Sequence, residues 1–225
     1  MYKNKSFLAI IPARKNSRRI KDKNLLVLNK KTLVEISILE SLKSKFIDKI
    51  IVCSDSYKIN KIASKFNCLP SKKRPKNLSN DHSKSIDLVK YYSKQYSEFD
   101  YILLLQPTSP FRKASQIDDA IKILINNKLS SVVSIGKINF PKSWINKKNE
   151  FHKFMNLNQK KDKNEYYKPN GAIYILDTSL INNRNTKGFY FKHTFFYEMD
   201  KISSIDIDEK TDYLLSKQLE KKITL

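Results

Sequence analysis

Four stretches carry residue types that could handle phosphate or a polar ligand. Leu8 to Asn24 reads LAIIPARKNSRRIKDKN, an apolar run stopped at Pro12 and followed by Arg14, Lys15, Arg18, Arg19, Lys21 and Lys23. Guanidinium forks and ammonium groups on a loop fixed by a buried strand can neutralise a polyphosphate and the charge that develops in phosphoryl transfer. This is not a Walker loop, because G-x-x-x-x-G-K-[ST] is missing and the loop has no glycine. In Ile205-Asp206-Ile207-Asp208 the carboxylates sit two residues apart, so on a strand both face one side. A hard cation such as Mg²⁺ takes one or two carboxylates plus substrate phosphates. Gln106, in Gln106-Pro107-Thr108-Ser109-Pro110, offers a donor and an acceptor on a proline-stiffened turn. Lys168-Pro169-Asn170-Gly171 puts a glycine at the start of an apolar run, where backbone or ligand comes close or the chain turns tightly. Each stretch also has a plain alternative: a solvated basic loop, a polar edge strand in which Asp208 caps the last helix, a rigid loop and a turn. The residues alone leave these open.

The elements that would position these stretches alternate. Phe7 to Ile11 predicts a strand buried on both faces. Thr32 to Leu42 predicts a helix through Leu33, Ile36 and Leu39, with Thr32 as N-cap and Glu35 closing a capping box. Lys49 to Cys53 is a second buried strand and Tyr57 to Phe66 a second helix. Helices over Ser83–Tyr96 and Ser115–Ile125 flank strands at Asp100–Leu105 and Ser131–Ile135. Later strands are expected at Asn170–Leu176, Phe195–Met199 and Ser204–Asp208, with helices at Asp177–Ile181 and Thr211–Leu219. Such alternation implies an α/β fold, three layers around a mostly parallel sheet. Ligands in such folds sit beyond the carboxyl ends of the strands, and the basic loop, Ser54-Asp55, Gln106 and Asp208 all follow expected strand ends.

Bulk properties narrow the classes. A chain of 225 residues with 40% hydrophobic content supports one core. The net charge of +22 favours an anionic partner, but the lysines are spread through every segment and no zinc-ligand spacing or ribonucleoprotein motif accompanies them. A nucleic-acid partner is therefore not expected. Neither is a membrane partner, since no apolar run approaches spanning length and the N-terminal run is broken by Pro12 and Arg14. Cys53 and Cys68 do not form a C-x-x-C pair and are expected to be reduced thiols of a cytoplasmic protein. His82, His152 and His193 stand at no ligand spacing and receive no role. Residues 138–168, polar and holding Trp144, form an expected excursion between parts of one domain, 1–137 and 169–225.

In order along the chain, IPARKNSRRIKDKN (Ile11–Asn24), IIVCSD (Ile50–Asp55), RPKNLSNDHSKS (Arg74–Ser85), LLQPTSPFR (Leu104–Arg112), SVVS (Ser131–Ser134), KPNGAIYI (Lys168–Ile175) and SIDIDEKTDY (Ser204–Tyr213) resemble the N-acylneuraminate cytidylyltransferase family. The resemblance implies a Rossmann-like nucleotide-diphospho-sugar transferase fold. It implies a Mg²⁺-dependent homodimer that couples CTP to a 2-keto nonulosonic acid, giving a CMP-sugar for surface polysaccharide and pyrophosphate. By motif position, Arg14 and Lys23 would meet the CTP phosphates, and Asn24 and Arg74 would lie in the nucleotide site. Ser83 and Ser85 would stand near base or ribose, Gln106 and Asn170 at the substrate, and Asp206 and Asp208 at Mg²⁺. The 138–168 excursion would be a dimerisation insertion, with Lys142 and Lys160 near the sugar acid. Lys15, Arg18, Arg19 and Lys21 are assigned to the chain's general basic excess. Alternatives are a 3-deoxy-manno-octulosonate cytidylyltransferase and, from another class, a basic nucleic-acid-binding α/β protein.

Overall fold

A computed structural model describes residues 1–15, 17–69, 74, 75, 78, 83–138, 165–183 and 186–222. Strand β1 (Phe7–Pro12) is followed by a short 3₁₀ turn (Lys23–Leu25) and the small ribbon β2 (Val27–Leu28) with β3 (Lys31–Thr32). Helix α1 (Leu33–Lys43) starts at Thr32, whose hydroxyl accepts from the Glu35 backbone while Glu35 bonds back to the Thr32 N–H, the expected capping box. Then come β4 (Lys49–Cys53), α2 (Tyr57–Lys65), α3 (Ser85–Gln95), β5 (Tyr101–Leu104) and α4 (Ala114–Asn126). The chain closes with β6 (Ser131–Ile138), β7 (Tyr166–Asp177), α5 (Thr178–Ile181), β8 (Thr194–Met199) and α6 (Lys210–Leu219).

Six strands form one sheet in the order β4-β1-β5-β7-β6-β8. Five run parallel, and β7 runs antiparallel to both β5 and β6. The mostly parallel α/β sheet is as expected; the reversed β7 is a finding, since a run apolar on both faces reads alike in either direction. Alternation along β1 builds the layers. Phe7, Ala9 and Ile11 pack with Val34 and Ile38 of α1, Ile59 and Ala63 of α2, and Ile117, Ala120 and Ile121 of α4. Leu8 and Ile10 pack on the opposite face with Leu88, Val89 and Tyr92 of α3 and Ile181 of α5.

Two details set the site's position. Ser204–Asp208, expected as a strand, joins no ladder. It runs beside the loop after β5, and the Ile207 N–H donates to the Thr108 carbonyl at 2.8 Å. Ile207 is fully buried in a third cluster with Leu28, Leu33 and Ile36, against which Ile20, Leu26 and Tyr213 pack. That cluster pins the basic loop to the acidic segment, and burying one such side chain stabilises by about 1.5–3 kcal/mol. Ile138 and Tyr166–Lys168, assigned to the excursion, pair in the β6–β7 ladder. Lys142, Trp144, His152 and Lys160 lie outside the described residues, as does His82. Among the described residues, no helix is long and apolar enough to cross a membrane.

Candidate active site

The basic loop is anchored at its root. Pro12 ends β1, where it has no N–H to offer a further ladder bond. Ala13 N–H donates to the Cys53 carbonyl at 3.0 Å, and Lys15 N–H donates to Asp55 Oδ1 at 2.6 Å. Asn24, buried, donates from Nδ2 to the Arg14 carbonyl at 3.0 Å, closing the loop on itself. Asp22 takes a left-handed conformation (φ 52°) to start the 3₁₀ turn that presents Lys23.

The wall opposite is set by Arg112. Its side chain, 2% exposed, donates from Nη1 to the Gln106 and Ala172 carbonyls at 3.0 and 2.9 Å, and from Nη2 to Ser37 Oγ at 2.6 Å. One guanidinium thus ties the loop after β5 to β7 and to α1. Burial lowers its pKa to about 10, with the Glu40 charge opposing.

Between these walls lies a cleft of about 240 Å³, lined by Arg14, Lys23, Asn24, Arg74, Ser83, Ser85, Gln106 and Asp208 together with Pro12, Ser17, Pro107 and Thr108. All eight of the first group were singled out from sequence segments far apart in the chain. A hollow of about 290 Å³ between α1 and the start of α4 is larger but holds none of them, so volume alone does not locate the site.

Across the cleft mouth, Lys23 Nζ lies 2.9 Å from Asp208 Oδ1, and Arg19 Nη1 lies 2.8 Å from Asp208 Oδ2. Burial would raise the Asp208 pKa, but hydrogen bonds and charge from Lys23 and Arg19 outweigh it and hold the carboxyl below its ordinary value. Arg19, assigned to the general basic excess, is therefore a partner of the acidic segment. Its signal in the sequence was masked by 44 lysines and arginines. Arg74 is buried and donates from Nε and Nη2 to the Leu78 carbonyl at 3.0 and 2.7 Å, a carbonyl that also accepts from Ser83 Oγ at 2.7 Å. Burial lowers the Arg74 pKa.

Asp206 and Asn170 do not line this cleft; they border an adjacent hollow of about 250 Å³ with Lys168, Ser204 and Asp212. The expectation of a strand at Asp206 and Asp208 is thereby corrected, because the segment joins no ladder, yet Asp206 still feels the charges of Asp208 and Lys23. Asn170 spends its side chain internally: Oδ1 accepts from Ser134 Oγ (2.5 Å) and Ala172 N–H (3.1 Å), and Nδ2 donates to Ser204 Oγ (3.0 Å). It links β6, β7 and the acidic segment. Next to it, Gly171 has φ +79°, and a Cβ there would stand 3.2 Å from Gln106 Oε1 and 3.8 Å from Asp206 Oδ2. Gly171 lies inside β7, where pairing with β6 shifts register between Val133 and Ile135, so the glycine serves close approach at an irregularity of the strand and not a turn before it.

The donor set suits a hard cation. Asp206 Oδ1 is buried with no hydrogen-bond partner among the described residues. Burial raises the Asp206 pKa; a Thr108 hydrogen bond opposes and the Asp208 charge adds. A cation bound there would satisfy the orphaned oxygen and relieve the repulsion. No group of three or more His, Cys, Asp or Glu able to hold a metal occurs among the described residues, so a cation would also need substrate oxygens, which is how Mg²⁺ is usually held. Sequence reasoning missed Arg112 and Arg19 as well as Thr108, which joins the two walls through backbone and side chain. An arginine after a proline-rich loop looks the same in sequence whether it faces water or the core.

The family model described as Cytidylyltransferase matches residues 8–225. An N-acylneuraminate cytidylyltransferase of Escherichia coli O18:K1:H7 is 34% identical over 221 residues, covering 96% of this chain and 52% of the relative. The chain thus spans about half of that relative. A CMP-N,N'-diacetyllegionaminic acid synthase of Legionella pneumophila is 36% identical over 224 residues, covering 94% of this chain and 95% of the relative. Among solved structures, a CMP:2-keto-3-deoxy-manno-octonic acid synthetase complexed with CTP superposes with a TM-score of 0.75 at 14% identity, covering 96% of this chain and 99% of that one. That likeness shows a shared fold. The chain belongs to the cytidylyltransferase family.

Proposed function

We propose that the chain couples CTP to a nine-carbon 2-keto sugar acid of the neuraminate, legionaminate or pseudaminate type, releasing pyrophosphate. The observation that carries this is the convergence of Arg14, Lys23, Asn24, Arg74, Ser83, Ser85, Gln106 and Asp208 on one cleft. In the reaction, the anomeric hydroxyl of the sugar acid forms a bond to the α-phosphorus of CTP as the bond to pyrophosphate breaks. Arg14 and Lys23 bind and orient the triphosphate and offset its charge, so positioning and electrostatics carry most of the acceleration. Asn24 keeps the loop in that shape, and Ser83 and Ser85 meet the nucleoside. Arg74 keeps Leu78 and Ser83 in place beneath it. Gln106 meets the sugar acid, with Asn170 bracing the backbone at Gly171. Lys142 and Lys160 are proposed as contacts for its carboxylate.

Asp206 and Asp208 would hold Mg²⁺, which supplies Lewis-acid stabilisation of phosphate oxygens when bound. The orphaned Asp206 oxygen supports that assignment. A homodimer joined through residues 138–168 is part of the same proposal, supported by the β6–β7 ladder reaching Ile138 and Tyr166 at the root of that stretch. A cytoplasmic setting fits two unpaired cysteines.

The test is pyrophosphate release from CTP with neuraminate, legionaminate, pseudaminate and the eight-carbon octulosonate as separate acceptors, beside DNA retention across a salt series. Release with a nine-carbon acid is expected. Release with octulosonate alone would reassign the acceptor. No release with any acid, together with steeply salt-dependent DNA binding, would overturn the enzyme assignment.

A further inference from the structure

Both oxygens of Asp208 are held by cations, but the two cations differ. Lys23 is tucked in, with 13% of its side chain exposed, whereas Arg19 is 58% exposed and Asp208 49%. Exposed ion pairs are weak, so a stronger anion near Arg19, or a cation near Asp208, can break this one. Arg19 belongs to the loop whose Arg14, Ser17 and Lys23 line the cleft. A guanidinium fork binds phosphate oxygens with the same bidentate geometry it offers a carboxylate. A divalent cation cannot settle on Asp208 Oδ2 without meeting the positive charge 2.8 Å away.

We propose that Arg19 is an exchangeable counter-ion: it occupies Asp208 in the free protein and moves to the triphosphate when nucleotide enters, freeing Asp208 for the metal. The inference rests on the CTP and Mg²⁺ assignment above and adds a linkage between the two ligands. Arg19 opposes metal binding alone and favours nucleotide binding alone, and because linkage is reciprocal, each ligand prepares the site for the other. The basic loop then acts as more than a phosphate clamp, because it also delays loading of metal until substrate arrives.

The test measures binding rather than turnover. Isothermal titration of the full chain uses MnCl₂ alone, CTP alone in the presence of EDTA, and CTP in the presence of MnCl₂, on wild type, Arg19→Ala and Lys21→Ala, with melting curves alongside. Arg19→Ala is expected to bind Mn²⁺ about two- to five-fold more tightly and metal-free CTP more weakly by a similar factor. Lys21→Ala, which removes an exposed charge of the same loop, is expected to change neither. Opposite movement of the two affinities is a signature that loss of fold cannot produce, since misfolding lowers both. If wild type binds CTP and Arg19→Ala matches it on both ligands, or loses both together, the exchange is wrong while the CTP assignment stands. If wild type binds no CTP with or without Mn²⁺, the CTP assignment fails and the exchange fails with it.

Discussion

Lys23 Nζ and Asp208 Oδ1 lie 2.9 Å apart although 185 positions separate them in the chain. Neither side chain finds the other alone. Ile20, three residues before Lys23, packs against the buried cluster of Leu28, Leu33, Ile36 and Ile207, and Ile207 stands between the two aspartates in the chain. An apolar contact thus sets a polar distance. The cation that would meet phosphate and the carboxylate that would meet metal come from opposite ends of the sequence and are registered by the same buried side chains.

Arg112 is the strut of the other wall, and its loss is expected to be costly. Arg112→Met keeps most of the volume but takes the guanidinium donor from the Ala172 and Gln106 carbonyls, of which the second keeps the Ser109 N–H at 3.3 Å. A buried acceptor left unpaired costs about 1–3 kcal/mol, so urea unfolding should show a loss of about 1–3 kcal/mol. Arg112→Lys should recover only part of it, because an ammonium cannot reproduce the fork. A loss under about 0.5 kcal/mol in Arg112→Met would show that the guanidinium is not structural.

Gly171→Ala should act on the acceptor side of the reaction. The left-handed backbone costs an alanine about 1–2 kcal/mol, and its Cβ would press on Gln106 Oε1 from 3.2 Å. The expected outcome in steady-state kinetics is a KM for the sugar acid raised about ten-fold, with the KM for CTP changed far less. An equal rise in both would place Gln106 at the nucleotide instead.

Much of this fold was legible in the sequence. The capping box at Thr32 and Glu35, the apolar stripes of α1 and α4, and the double-sided burial of β1 follow from residue spacing. The direction of β7 was not legible, because Ala172–Leu176 is apolar on both faces and pairs equally well either way. Ser204–Asp208 shows the limit of period-two alternation: Ile207 is buried, but alternation cannot say whether a neighbouring strand exists to pair with. At the site, Arg14, Lys23, Gln106 and Asp208 were legible from residue type and position after strand ends. Arg19 and Arg112 were not, since only tertiary packing separates a paired or buried arginine from a solvated one.

Cys53 offers a pH test of burial. Burial raises its thiol to about 12 from an unfolded value near 9.0, while half-buried Cys68 is raised to about 11. Both folded values lie above the unfolded one. Their contribution to stability is therefore fully present below pH 9.0 and is lost as pH rises toward the folded values. Iodoacetamide at pH 8 should modify native Cys68 before Cys53, and both only slowly until urea is added. Rapid native labelling of Cys53 would mean that the strand end beside Asp55 opens, which the packing of β4 against β1 argues against.

Asp208 is the residue at which the metal and triphosphate assignments meet. Pyrophosphate release from CTP with a nine-carbon keto acid and Mg²⁺ should be measured for wild type and Asp208→Ala, with melting temperatures taken on the same samples. The predicted result is a fall in turnover of about 100-fold or more with melting moved by only a few degrees, since Asp208 is half exposed and its ion pairs contribute little to stability. Near-normal turnover by Asp208→Ala would contradict the assignment of this carboxylate to the metal and of the cleft it borders to the triphosphate.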